Sequence, residues 1–326
     1  MCARHLCPPN RAGSSTMNTS GIYRNKSVSD LEVVGVAGCG TMGLPMAQAL
    51  QRAGFAVWGY DVRPAKEFGD FAARMLADPQ DFAERVSVMF CVVRDIPQTL
   101  DLCFNVQRMF AGNQYPRTLI VSSTLSPRFL PELRRQLPTD VTLIDAPMSG
   151  APHAAREGTL SFMLGGQPDA IDTLMPLFDA MGQHVFRLGP SGSGMLAKVM
   201  NNYVACTCAV VVRRAYARAR ALGADLDALA DVMQASSGAT WFGNNFAAID
   251  WAREGYASDN TFGILEKDIN SGLDALADLP QALAPDAFDA ALVEAIRSMP
   301  PFALAAELDG QGADADSRCG AGDEVP

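Results

Sequence analysis

The amino-acid sequence predicts an α/β fold: a doubly wound parallel sheet in its N-terminal half, then an all-α C-terminal region linked to it by one long helix. Three observations carry this. Short β-branched runs alternate with helical segments from Leu31 to about Arg187, the pattern of strands joined by crossover helices on both faces of a parallel sheet. After the turn Gly189-Pro190-Ser191-Gly192-Ser193-Gly194 the strand pattern stops. Residues 195–222 then contain neither proline nor glycine, and Gly223 follows, which reads as one long helix with a glycine stop.

Seven strands are expected, at 33–37, 56–60, 86–93, 118–122, 141–145, 160–164 and 184–187. Beyond the long helix, Ala-, Leu- and Asp-rich helical segments break at Ser236-Ser237-Gly238 and around Pro280 and Pro285. The expected partition is a disordered extension at 1–29, a nucleotide-binding domain at 30–190, a helical substrate and dimerisation domain at 191–308 and a disordered tail at 309–326. The extension rests on composition: residues 1–29 hold no Asp or Glu and are rich in Ser, Asn and Arg.

Charge and cysteine usage narrow the function classes. With 26 basic against 36 acidic residues the chain carries −10, a field that repels polyanions, so no nucleic-acid partner is expected. No uninterrupted run of about 18 apolar residues occurs, and 203–212 runs into Arg213 and Arg214, so no membrane partner is expected either. The eight cysteines are scattered without a C-x-x-C pair, which suggests a reducing, cytoplasmic setting and no metal site. Only His5, His153 and His184 could serve a histidine-based mechanism.

The first glycine-rich turn is the most informative segment. Gly38-Cys39-Gly40-Thr41-Met42-Gly43 follows the first strand and opens a helix to about Ala53, the context that a dinucleotide fingerprint requires. Gly38 permits the tight turn, Gly40 lets a pyrophosphate approach the backbone, and Gly43 lets helix and strand pack closely. The helix N-terminus supplies N–H donors. This is a Rossmann arrangement. Asp61 ends the second strand 18 positions after Gly43, where a carboxylate accepts hydrogen bonds from the ribose hydroxyls and repels a 2′-phosphate. NAD is therefore favoured, while Arg63 could pair with a 2′-phosphate and keeps NADP open.

Two segments carry candidate chemistry. Ser149 and Gly150 fall at the carboxyl end of the fifth strand, where α/β sheets bind ligands, and could hold a carboxylate or form an ordinary Ser-Gly turn. Lys198 and Asn202 lie at i and i+4 near the start of the long helix, on one face. The neighbours Leu196, Ala197, Val199 and Met200 are apolar, which makes an idle lysine there expensive.

The G-x-G-x-M-G turn followed by Leu44-Pro45-Met46-Ala47, the segment Ser123-Thr124-Leu125-Ser126-Pro127, Asp145-Ala146-Pro147-Met148-Ser149-Gly150 with Gly158-Thr159-Leu160, the G-x-G-x-x-x-K-x-x-N-N helix and Glu266-Lys267-Asp268-Ile269 together resemble the β-hydroxyacid dehydrogenases, a group that includes 3-hydroxyisobutyrate dehydrogenase. The resemblance covers about residues 33 to 270. It implies an active site between the two domains and a homodimer or homotetramer. It also implies roles: Lys198 as general acid/base, Asn202 as its positioning partner, Ser149 and Gly150 on the carboxylate of a small anionic hydroxy acid or semialdehyde, Lys267 beside cofactor and substrate, and Ser123 and Thr124 near the nicotinamide.

The sequence also departs from the family. Ala151 replaces the second glycine of the usual Ser-Gly-Gly, and Pro152 and His153 follow, which leaves the substrate open. Asn201 stands where the decarboxylating sugar-phosphate members carry histidine. A catalytically silent NAD-binding interaction module and an imine-reductase-like NADPH enzyme remain as alternatives, and the retained Lys198 argues against both.

Overall fold

A computed structural model describes residues 33–302. The expectations for 1–29 and 309–326 lie outside the described residues. Eight strands are present among them: β1 Val34–Ala37, β2 Val57–Tyr60, β3 Val88–Cys91, β4 Thr118–Val121, β5 Thr142–Asp145, β6 Met148–Ser149, β7 Leu160–Gly165 and β8 Gly182–Gly189. The α-helices are α1 Gly43–Arg52, α2 Pro79–Arg85, α3 Ile96–Leu100, α4 Phe129–Gln136, α5 Pro152–Glu157, α6 Pro168–Met181, α7 Ser193–Ala221, α8 Leu226–Gln234, α9 Trp241–Asn244, α10 Thr261–Leu276 and α11 Ala287–Arg297.

The strands form one sheet in the order β2-β1-β3-β4-β5-β7-β6, with β8 also on β7. The first five strands run parallel. Side chains alternate between two cores, as the pleat demands. Phe90, Ile120 and Ile144 face the cluster built with α1 and α6, whereas Met89, Leu119, Val121 and Leu143 face the one built with α2 and α4. Burial on both faces explains why these strands read as continuous apolar runs.

The far edge departs from the parallel pattern. β7 runs antiparallel to β5 and β6, while β8 is parallel to β7. The cause is connection length: only residues 150–159, with the six-residue α5, separate β6 from β7, and a parallel crossover needs a dozen or more. Two-residue β6 is too short to show in a sequence pattern. The 14-residue α6 restores a parallel crossover to β8.

Helix α7 is 29 residues, about 44 Å long. It alone among the described helices is long and apolar enough to cross a membrane, so the run-counting expectation missed it; 44% of its most apolar window is buried in this fold. It packs on β7 at its start and on α10 along its length, carrying the chain from the sheet into the helical part.

Its first turn has no cap of its own, since Gly192 has no side chain and sits at φ +95°. The donors are taken by Asp145 at the end of β5. Asp145 Oδ1 accepts from Gly192 N at 2.7 Å, and Oδ2 accepts from Met195 N at 2.8 Å.

The helical part is centred on Arg213, which is 2% exposed and has no carboxylate partner among the described residues. It donates to the carbonyls of Ala252 (2.5 Å), Glu254 (2.9 Å) and Pro300 (2.6 Å). Its guanidinium also stands 5.3 Å and 5.4 Å from the ring centroids of Phe262 and Phe302. Burial lowers its pKa to about 10. Arg213→Met would strand three buried carbonyls, so a loss of about 3 kcal/mol or more is expected in denaturant unfolding. A change below about 1 kcal/mol would show that water replaces the guanidinium.

Candidate active site

The turn after β1 is shaped by its glycines. Gly38 sits at φ +90°, and a Cβ there would meet the Val92 carbonyl at 2.8 Å. A Cβ on Gly43 would lie 2.0 Å from Gly38 O, so this position closes the helix onto the turn. Gly40 has no atom within 4 Å of its Cβ direction and faces open space. Helix α1 has no side-chain cap and no acidic residue in its first turn. Thr41 is exposed and Met42 half-buried at its mouth. Free donors, the positive helix end and a cradle that a side chain would fill suit a pyrophosphate.

Cys39 points the other way. It is buried, its Sγ donates to Val36 O, and burial with the nearby Asp61 charge pushes its thiol up to about 12. It is a packing residue inside the turn, contributing backbone rather than chemistry.

Asp61 and Arg63 form a pair beside this turn. Arg63 Nε lies 3.0 Å from Asp61 Oδ1, and Arg63 Nη2 donates to Cys39 O at 2.9 Å. The guanidinium stands over the Phe68 ring, 4.8 Å from its centroid. Asp61 holds the Arg63 pKa above its ordinary value. The two residues that the sequence set against each other as ribose and phosphate ligands are therefore partners here.

Lys198 and Asn202 share the buried face of α7, at 7% and 9% exposure. Burial pulls the Lys198 ammonium below the usual lysine range; the Asp268 charge opposes that shift and the Lys267 charge reinforces it. Among the described residues Lys198 Nζ has no hydrogen-bond acceptor. Asn202 is fixed from both sides: Nδ2 donates to Asp268 Oδ2 at 2.6 Å, and Oδ1 accepts from Asn201 Nδ2 at 3.0 Å.

Lys267 on α10 reaches across to the sheet. Its Nζ donates to Thr124 O at 2.7 Å and lies 2.6 Å from Asp268 Oδ1. That oxygen receives no directed hydrogen bond, so the contact is an ion pair only. Nearby, Ser123 Oγ donates to Val93 O. The geometry thus gathers Lys198, Asn202, Lys267 and the Thr124 backbone around Asp268, which the sequence reading quoted in a motif without giving it a role.

Ser149 and Gly150 stand at the end of β6, with Ser149 in register with Ser161. Gly150 has φ +135°, and a Cβ there would press on Leu160 and Ala154 at 2.9 and 3.0 Å. Among the described residues no hydrogen bond links either one to Lys198 or Asn202. His153 and His184 are exposed, on α5 and on β8.

Residues 33–189 match the family model described as the NAD binding domain of 6-phosphogluconate dehydrogenase. Residues 192–299 match that described as NAD-binding of NADP-dependent 3-hydroxyisobutyrate dehydrogenase. The human mitochondrial 3-hydroxyisobutyrate dehydrogenase is 30% identical over 241 residues, 73% of this chain and 72% of its own. The NAD-dependent L-serine dehydrogenase of Pseudomonas aeruginosa is 31% identical over 215 residues, 65% of this chain and 72% of its own. A crystal structure of 3-hydroxyisobutyrate dehydrogenase from Salmonella typhimurium superposes with a TM-score of 0.69 at 25% identity, covering 81% of this chain and 92% of that one. Fold, glycine turn and relatives agree, and the chain belongs to the β-hydroxyacid dehydrogenase family.

Proposed function

We propose that this NAD(P)-dependent dehydrogenase interconverts a small 3-hydroxy acid with its semialdehyde or oxo acid, and that Lys198 is the general acid/base. The observation that carries the reading is the Lys198 amine itself: buried, with its pKa lowered and without a protein acceptor, on the helix face that also bears Asn202. A buried lysine left without an acceptor is costly unless a ligand supplies one. The named relatives act on 3-hydroxyisobutyrate and L-serine, both 3-hydroxy acids with a carboxylate.

In the oxidative direction neutral Lys198 takes the substrate hydroxyl proton, and in the reductive direction the ammonium returns it. When bound, the nicotinamide accepts or returns the hydride. Asp268 holds the Asn202 amide and so sets which group Asn202 offers the substrate oxygen. The backbone N–H groups about Ser149 and Gly150 are assigned to the substrate carboxylate. Lys267, tied to the Thr124 carbonyl, lines the same cleft and adds the positive charge that an anion needs on a chain of −10.

The division into a cofactor domain at 30–190 and a helical domain at 191–308 belongs to the same reading, as does a homodimer or homotetramer. The large exposed apolar side chains favour the helical part for subunit contact: Val204 at 61%, Trp241 at 65%, Leu222 at 87%.

Lys198→Ala is expected to lower kcat by about 10²-fold or more while NAD binding stays within about twofold. Retained turnover would sink the assignment, and it also separates this enzyme from a silent binding module. The sign of the pH dependence follows from the required state: oxidation needs neutral Lys198, so its kcat should rise with pH. The midpoint should lie below that of a free lysine, because burial favours the uncharged amine. A kcat flat across that range would contradict the role.

Cofactor choice is read at Asp61. Asp61→Ser removes the carboxylate and frees Arg63 for a 2′-phosphate, so the kcat/KM ratio of NADP to NAD should rise by about tenfold or more. An unchanged ratio would place Asp61 away from the ribose.

A further inference from the structure

We propose that Asp145 is a positioning residue for the reaction: a carboxylate on the sheet that caps the catalytic helix from outside and thereby fixes where Lys198 stands. The inference rests on Lys198 being the acid/base.

Four observations lead there. Helix α7 lacks a local cap and has no acidic residue in its own first turn, so the N–H groups at its start depend on another element. Asp145 supplies it across 47 and 50 residues of chain, with one oxygen on Gly192 N and the other on Met195 N. Its negative charge sits at the positive end of a 29-residue helix.

The fit is cut close. A Cβ on Gly165 would lie 2.5 Å from Asp145 Oδ1, and one on Gly194 would lie 2.9 Å from Oδ2 and 2.2 Å from Met163 O. Two glycines therefore make room for this carboxylate and for the helix end it holds. Asp145 is fully buried, as is Met195, whose side chain packs into the core between the sheet and α4.

Lys198 follows Met195 by three residues, a rise of about 4.5 Å, so the anchored turn sets its height above the sheet. Asp145 also lies four residues before Ser149 on the same run of chain. One side chain thus couples the proposed carboxylate loop to the proposed base. The fingerprint turn lies after β1, with β3 and β4 between β1 and β5, and does not share the contact. Displacement of a reacting group by about 1 Å can cost about 10²-fold in rate, and the cap is placed to prevent it.

The test uses the full chain with 3-hydroxyisobutyrate and L-serine as probes. Rates are normalised to NAD-binding sites by fluorescence titration, so that only folded enzyme is counted. Asp145→Asn keeps the shape but turns one acceptor into a donor. Its kcat should fall by about 10- to 100-fold with the KM for NAD within about twofold. In a Lys198→Ala background the same change should cost less than about twofold, because the residue acts through the lysine. Gly194→Ala pushes on the helix start with Asp145 intact and should give the same signature, which keeps the test available if Asp145→Asn does not fold.

Full kcat per site in both variants would overturn the inference, as would equal losses with and without Lys198, or loss of NAD binding in both. If Lys198→Ala is inactive while Asp145→Asn matches the wild type, only the inference fails. If Lys198→Ala keeps its turnover, the acid/base reading itself fails.

Discussion

The structure depends on one interaction above others, the capping of α7 by the Asp145 carboxylate. Where a doubly wound sheet and a helical bundle are joined by a single helix, the way that helix is held at its root sets its direction from the sheet. Apolar packing of Met195 supplies the attraction, but it is non-directional and tolerates sliding. Hydrogen bonds from the N-cap Gly192 N–H and the first-turn Met195 N–H do not. Burial pushes the Asp145 carboxyl up, while the N–H groups of Gly192, Met195 and Gly194 pull it back. The net shift is upward, so the helix N–H groups offset only part of the cost of burying the carboxylate that holds them.

That rigidity sets the electrostatics farther along the helix. Lys198 and Lys267 share one buried carboxylate, Asp268, which already accepts from Asn202. Lys267, paired with that carboxylate, places a local positive charge inside a chain of −10. Asp268 draws the Lys198 proton inward and Lys267 repels it, so the lysine responds to both neighbours as well as to its burial.

What was legible in the sequence was local. The fingerprint turn, the seven longer strands and the start of α7 depend on residues close together in the chain, and periodicity or glycine spacing shows them. Strand direction at the far edge was not legible, because a period of two carries no polarity; the short link through α5 decided it. Asp145 was quoted only as part of a motif, since a carboxylate ending an apolar strand gives no hint of donors 47 residues on. Asp268 sat beside Lys267 in view, but its meaning required α10 to lie along α7. Arg213 had been read as the charge that ends an apolar run, and it is the most buried cation of the helical part.

A second seam joins the sheet to the helical part, and its contacts differ in strength. Arg128 pairs with Asp274 at 3.2 Å and Asp278 at 2.8 Å, all partly or largely exposed, so each pair contributes little and weakens with salt. Arg94 reaches the Ser258 carbonyl from an exposed loop. The Lys267 bond to Thr124 O is more sheltered, with the lysine side chain 21% exposed, and it faces the carboxylate that orients Asn202. Water competes less there, so this bond holds more firmly than the rim. The sheet thus grips the helical part at two sheltered points, Asp145 on α7 and the Thr124 carbonyl on α10. Lys198 and Asn202 lie on the helix face between these grips. The rim pairs of Arg128 are solvent-screened, so the two sheltered contacts do more than the rim to set how α7 and α10 stand against the sheet.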